Sequence, residues 1–429
     1  MDVPGARLGA APGDRPGQAH WLAAETERLL EFAEGSWHPL GGFGRQDDCG
    51  KRVITAPVEL WLTGRMTHVY ALGELLGYPG SAELAEHGLA ALHGLMRDEE
   101  HGGWYPEVAW GGPANTDKPF YQHAFVLLAA ASGTLAGLPH ARELLDSALA
   151  LVDERFWSEA EGMVIETWDR GFTTAEPYRG VNATMHGVEA FLAAADALDA
   201  GGDAAGGELW RRRALRMTER VVTGFAAPHG WRIPEHYDER WHPLPDYNID
   251  HPDHPFRPYG STVGHGLEWS RLCLHLHAAL GASAPDWLVE DARGLFDTAV
   301  RDGWAVDGAD GFVYTVDWDG KPVVRQRMHW VLAEAVCTAA TLYAVSGDEE
   351  YRRRYQAWWD YAETYLVDRE CGSWHHELDG HNRPAATVWP GKSDAYHAVQ
   401  ATLLPRLPLR GSVARAVSDA LAAGEIAPL

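Results

Sequence analysis

Apolar residues recur at spacings of three and four in six runs: RMTHVYALGELLG from 65, YQHAFVLLAAAS from 121, MHGVEAFLAAADAL from 185, GHGLEWSRLCLHL from 264, MHWVLAEAVCTAATLYA from 328 and YHAVQATLLPRL from 396. That periodicity predicts α-helix in each. Near the front of each run stands a histidine (His68, His123, His186, His265, His329 and His397), at separations of 55, 63, 79, 64 and 68 residues. A period of that length suits a helix pair repeated six times. Between the runs lie more charged helical stretches, at roughly 18–33, 82–97, 139–155, 206–224, 286–301 and 349–366, with Arg and Glu on one face as outer helices would have.

After each charged stretch comes a segment with glycine and an aromatic or aliphatic residue: GGFG at 41–44, HGGWYPE at 101–107, EGMVIE at 161–166, HGWRIPE at 229–235, DGFVYT at 311–316 and CGSWHHE at 371–377. These predict small hairpins or turns leading to the next inner helix. The alternation predicts an all-α fold, an (α/α)6 barrel with short hairpins connecting outer to inner helices and a ligand pocket at the histidine-bearing end. Residues 1–17, rich in Gly, Pro and Ala, read as a flexible leader, and 18–429 as a single catalytic domain. The widest interval holds HYDERWHPLPDYNIDHPDHPFRP at 236–258, too polar and proline-rich for a helix, and a loop of that length is a candidate lid.

Composition narrows the partners. Hydrophobic residues make up 46% and include 19 Trp, enough for a large core and an aromatic-lined pocket. A net charge of −25, from 61 acidic against 36 basic residues, works against nucleic acid and anionic membrane and favours a small uncharged substrate. No secretory apolar core and no membrane-length apolar stretch occurs, so a cytoplasmic location is expected. The scattered Cys49, Cys273, Cys337 and Cys371 read as buried reduced thiols. HPDHP at 251–255 has a proline beside each histidine and no matching carboxylate cluster, so no metal site is expected. With neither a GxxxxGK[ST] loop nor a GxGxxG turn, no cofactor is indicated.

Histidine is the side chain best suited to moving protons near neutral pH. Glu268 lies three residues after His265, where its carboxylate can orient that imidazole, and the same HGxE pattern recurs at His186 and Glu189. Two segments are more distinctive still, FRPYGSTVGHGLEWSRL at 256–272 and TVWPGKSDAYHAVQATLLPRLPL at 387–409, with support from RMTHVYA near 65 and NATMHGVEA near 182. Through them the chain resembles the N-acylglucosamine 2-epimerase superfamily, in its mannose and sulfoquinovose isomerase branch, from about residue 20 to 410.

The resemblance implies an (α/α)6 barrel that interconverts sugars without metal or redox cofactor. It identifies His397 as the base that moves a carbon-bound proton through an enediolate, and His265 as the group serving ring opening and the sugar oxygens. It also implies substrate contacts from Arg65, suited to the developing oxyanion, and from His186, with Asn182 and Arg257 from the same neighbourhoods. Trp389 and Tyr121 could supply apolar faces for the sugar. The sulfosugar branch has a glutamine where this chain has Ser393, which favours a neutral hexose. The expected activity is aldose–ketose isomerisation, D-mannose to D-fructose and D-lyxose to D-xylulose. Alternatives are a sulfoquinovose isomerase, a sugar 2-epimerase, or a glycoside hydrolase of the same fold using two carboxylates.

Overall fold

The computed structural model describes residues 15–429, so residues 1–14 of the expected 1–17 leader lie outside the described residues and only the end of that leader is seen. Pro16 and Gly17, at the end of the leader, are tied down, since Tyr355 Oη donates to Gly17 O at 2.7 Å and Gln356 Nε2 to Pro16 O at 3.0 Å. Helix accounts for 53% and strand for 11%, so the class is all-α with strands too short to form a layer. The chain divides into two compact units.

One unit holds residues 33–220, 236–243 and 411–429. Helices α2 (Leu60–Leu76), α4 (Phe120–Leu135) and α6 (Val181–Ala200) are buried on nearly every side and pack in that order. Against them lie α3 (Ser81–His93), α5 (Ala141–Leu151) and α7 (Ala204–Thr218), each with one apolar face. The α2–α4 approach is close enough that a Cβ on Gly64 would lie 2.7 Å from Phe125 O, so glycine is required there. The C-terminal α13 (Val413–Ala422) packs on all three buried helices.

The other unit holds the remaining residues up to 410. Here α8 (Val263–Leu280), α10 (His329–Ser346) and α12 (Tyr396–Leu403) are the buried helices, in contact in that order. Outer helices α9 (Trp287–Gly303) and α11 (Glu349–Tyr361) pack on α8 and α10, and Thr26 of α1 (Ala19–Ala33) bonds Thr402 of α12 at 2.8 Å. The charged stretches predicted from the sequence are these outer helices. In three of them the last turn widens into a π-helix, at Val152–Phe156, Glu219–Ala226 and Ala362–Leu366.

Short antiparallel pairs brace five of the six buried helices. The two or three residues before a buried helix pair with those after the following outer helix: Val58 with Val108, Lys118 with Trp168, Tyr178 with Asp238, Ser261 with Val316 and Arg327 with Leu378. Five tips share one construction, in which an aspartate (47, 169, 238, 317 or 379) accepts from the backbone N–H four residues on and the residue between takes a positive φ. An acceptor side chain thus replaces ladder bonds that so short a strand cannot make. The 236–258 insertion is not wholly irregular, because its first residues, His236–Asp238, form one of these strands.

The histidines do not all stand at helix starts. His329 opens its helix, but His68 is well inside α2 and His186 inside α6, because apolar residues upstream extend both helices towards their N-termini. Cys273 and Cys337 are free and buried, and burial raises both thiols. Cys49 and Cys371 are disulfide-bonded, which corrects the reading of all four as thiols. Among the described residues no helix is long and apolar enough to cross a membrane.

Candidate active site

Three of the six histidines are committed to the scaffold. His68 Nδ1 lies 2.7 Å from Ser132 Oγ in full burial, which lowers its pKa to about 4. His123 has both nitrogens engaged, Nδ1 with Pro119 O at 2.8 Å and Nε2 accepting from Trp104 N at 3.2 Å, and burial lowers it to about 3. A ring whose Nε2 must accept is held neutral. His329 stacks on His376 at 3.9 Å, with Nδ1 3.3 Å from the His376 carbonyl.

His265 and His397 are built differently. His265 is in the first turn of α8, and its Nδ1 lies 3.0 Å from both carboxylate oxygens of Glu235, which also accepts from Thr262 N at 3.2 Å. His397 is in the first turn of α12, and its Nδ1 lies 3.0 Å from Glu334 Oε1 on α10. Glu334 is clasped in turn by Arg271 of α8, Nε to Oε2 at 2.7 Å and Nη2 to Oε1 at 3.3 Å. An ionised carboxylate can only accept, so each Nδ1 carries hydrogen and proton exchange falls to Nε2. Burial alone would raise the Glu334 carboxyl, but Arg271 and His397 outweigh it and hold the group well below the usual range.

Both imidazoles lie against one indole, with ring centroids of Trp330 5.4 Å from His265 and 5.6 Å from His397. Gly264 makes room for it, since a Cβ there would sit 2.3 Å from the Trp330 ring. The unit therefore presents two carboxylate-backed bases on one aromatic wall, the two residues being 7% and 5% exposed.

The proposed partner of His265 has to be corrected. The carboxylate on its Nδ1 is Glu235, whereas Glu268 Oε1 faces the Arg271 guanidinium at 3.7 Å. Being on one helix face placed Glu268 near, but Glu235 reaches the ring from the segment just before the His236–Asp238 strand, with both carboxylate oxygens 3.0 Å from Nδ1. Glu235, Glu334, Arg271 and Trp330 escaped the sequence reading. A signal for Glu235 existed: four of the glycine-containing segments end in glutamate, at Glu107, Glu166, Glu235 and Glu377. In three of them the carboxylate accepts backbone N–H groups of the segment ahead, Gly180 N on Glu166, Thr262 N on Glu235 and Thr387 N on Glu377. At Glu235 that brace also becomes the partner of an imidazole, His265.

In the unit of α2, α4 and α6 a second group gathers. Arg65 Nη2 donates to Tyr121 Oη at 3.2 Å, and its guanidinium lies over Phe125 at 4.5 Å and Trp61 at 5.2 Å. The His186 ring packs on Phe125 at 4.7 Å and on Tyr121 at 5.3 Å, with Nδ1 3.6 Å from Glu189 Oε2. Arg65, Tyr121, His186 and Glu189 are thus brought together, and Asn182 stands one helical turn before His186 on α6. A guanidinium 7% exposed over aromatic rings is weakly hydrated and suited to a developing oxyanion. Trp389 packs edge-on against Phe256 at 5.1 Å, next to Arg257, whose Nη1 is 3.4 Å from Tyr247 Oη.

Comparison with known proteins gives the family and the fold class. Residues 41–401 match the model of N-acylglucosamine 2-epimerase (GlcNAc 2-epimerase). The chain belongs to that family. Its relatives in the N-acylglucosamine 2-epimerase family include a D-mannose isomerase of Thermobifida fusca, 52% identical over 93% of this chain and 96% of that one. A second D-mannose isomerase, from Pseudomonas cannabina pv. alisalensis, is 47% identical over 94% of this chain and 96% of its own. A crystal structure of a D-mannose isomerase is similar at a TM-score of 0.83 and 26% identity, covering 92% of this chain and 99% of that chain. The fold class is the (α/α)6 barrel of these family members, as the alternation of helices predicts.

Proposed function

We propose that the protein is an aldose–ketose isomerase converting D-mannose to D-fructose, and D-lyxose to D-xylulose, within one catalytic domain spanning residues 18–429. What carries the reading is the pair of imidazoles on Trp330, each with Nδ1 on a buried carboxylate. It is supported by two relatives named D-mannose isomerase at 52% and 47% identity over nearly the whole chain. The substrate is a small neutral monosaccharide and the working location the cytoplasm; neither metal nor organic cofactor takes part.

His265 exchanges protons with the sugar oxygens, so that the ring opens to the free aldehyde. His397 Nε2 then takes the C2 proton, and the electron pair left behind forms the C1–C2 double bond of an enediolate while the carbonyl becomes an oxyanion. Glu334 favours the imidazolium so formed; His265 takes the O2 proton and supplies one to O1, and as C2=O forms the imidazolium returns its proton to C1, leaving the ketose. Arg65 steadies the oxyanion. His186, Asn182, Glu189, Arg257, Tyr121 and Trp389 bind and orient the sugar, and Glu268 acts through Arg271.

Because both rings lie on one indole, 2-epimerisation, which needs two bases reaching carbon from opposite faces, is the second reading. Following D-mannose in D2O by NMR separates them. Isomerisation gives fructose first, with less than full deuterium incorporation where His397 is shielded. Glucose forming faster than fructose would replace the proposal with a 2-epimerase.

A further inference from the structure

The segment 387–395, which carries Trp389 and leads into the helix of His397, has no regular secondary structure. It is nevertheless held at two points by buried carboxylates. Downstream, Lys392 Nζ bonds Asp368 and the Gly372 carbonyl, the latter at 2.7 Å. Upstream, Glu377, 1% exposed, accepts from Thr387 N at 3.0 Å and from Val388 N and Trp389 N at 2.8 Å each, and also from the Thr387 hydroxyl. Three consecutive backbone N–H groups converging on one carboxylate replace the ladder this stretch lacks, and charge-assisted bonds are about twice as strong as neutral ones. Glu377 itself cannot drift, because its strand pairs with Met328, one residue before α10.

We infer that Glu377 is a positioning residue for the sugar site, fixing the backbone of 387–389 so that Trp389 stands against Phe256 and presents its indole to the substrate. The inference rests on the isomerase reading above. Lys392 secures the approach to His397; Glu377 governs the Trp389 wall. Loss of Glu377 therefore acts on sugar binding more than on proton transfer. Glu377→Gln keeps the volume but exchanges one acceptor oxygen for a donor that faces N–H groups, so the three-point clamp opens.

The test compares wild type, Glu377→Gln, Trp389→Ala and the double variant on D-mannose. The expected result is a KM at least about 5-fold higher in Glu377→Gln with kcat within about 3-fold, and no further rise when the change is made on top of Trp389→Ala, since coupled residues are non-additive. A smaller rise in KM, a fall confined to kcat, or an additive double variant would overturn the inference. Hydrogen exchange on the wild type needs no variant and covers the case of a misfolded one: the Thr387 and Val388 amides should be strongly protected although Ala386 and Thr387 are exposed. Exchange of those amides as fast as that of Ala386 overturns it too. If the wild type itself turns over no aldose, the isomerase reading has failed, whereas active wild type with an unchanged variant condemns Glu377 alone.

Discussion

Glu334→Gln is the sharpest test of how the base is prepared. The wild-type carboxylate is fully buried, 3.0 Å from His397 Nδ1 and clasped by Arg271 at 2.7 Å. Two unit charges about 4 Å apart at an effective dielectric near 20 interact by roughly 4 kcal/mol. Only part of this is lost, because the Gln carbonyl can still accept from Nδ1 and the Arg271 charge already offsets some of the field. About half, roughly 2 kcal/mol, should appear as weaker stabilisation of the imidazolium, and so as a fall of about 30-fold in kcat. The fall deepens if the amide turns its NH2 towards the ring, since the tautomer then reverses and Nε2 no longer accepts. Stability should drop as well, by less than the about 3–5 kcal/mol of a buried pair broken outright, because Arg271 keeps Glu268 at 3.7 Å as a longer-range counter-charge. Ketose formation from D-mannose at saturating substrate, with urea unfolding of the same preparation, separates the two effects. A folded Glu334→Gln enzyme with kcat within threefold of wild type would refute the assignment of Glu334 as support for the base.

Replacing His397 or His265 by Asn should lower kcat at least about 100-fold while circular dichroism and Tm show a retained fold; near-normal turnover by either folded variant removes that residue from the chemistry. Arg65→Ala should cost about 2.7–4 kcal/mol in the transition state, read as a fall in kcat/KM with kcat contributing; a change in KM alone would make Arg65 a binding residue only. Burial lowers the His68 pKa from its ordinary value of 6.5 to about 4, so its contribution to stability is fully present above about 6.5 and is lost as pH falls towards 4. Denaturant unfolding from pH 7 to 4 should show that loss, with a shallower slope in His68→Gln; an unaltered slope contradicts it. Extended dialysis against EDTA should leave turnover intact, and activity lost and then restored by a divalent ion would overturn the metal-free mechanism.

The alternation of helices was legible in the chain because the 3.6-residue period of a buried helix and the charged face of an outer one are local patterns. His265, His397, Arg65 and His186 stood out for another reason, their place in motifs with a family's spacing. What sequence could not supply was the identity of each histidine's partner. Glu334 is 63 residues from His397 and Glu235 is 30 from His265, separations at which no periodicity operates. Glu268, the local choice, was displaced because direction as well as proximity decides which carboxylate meets Nδ1. The same holds for the histidines as a class: six appear alike along the chain, and only packing set His68 and His123 into neutral structural bonds while giving His265 and His397 anionic partners. Local periodicity fixes which residues become helix; the side-chain directions that convert an imidazole into a base arise only when helices far apart in sequence are packed together.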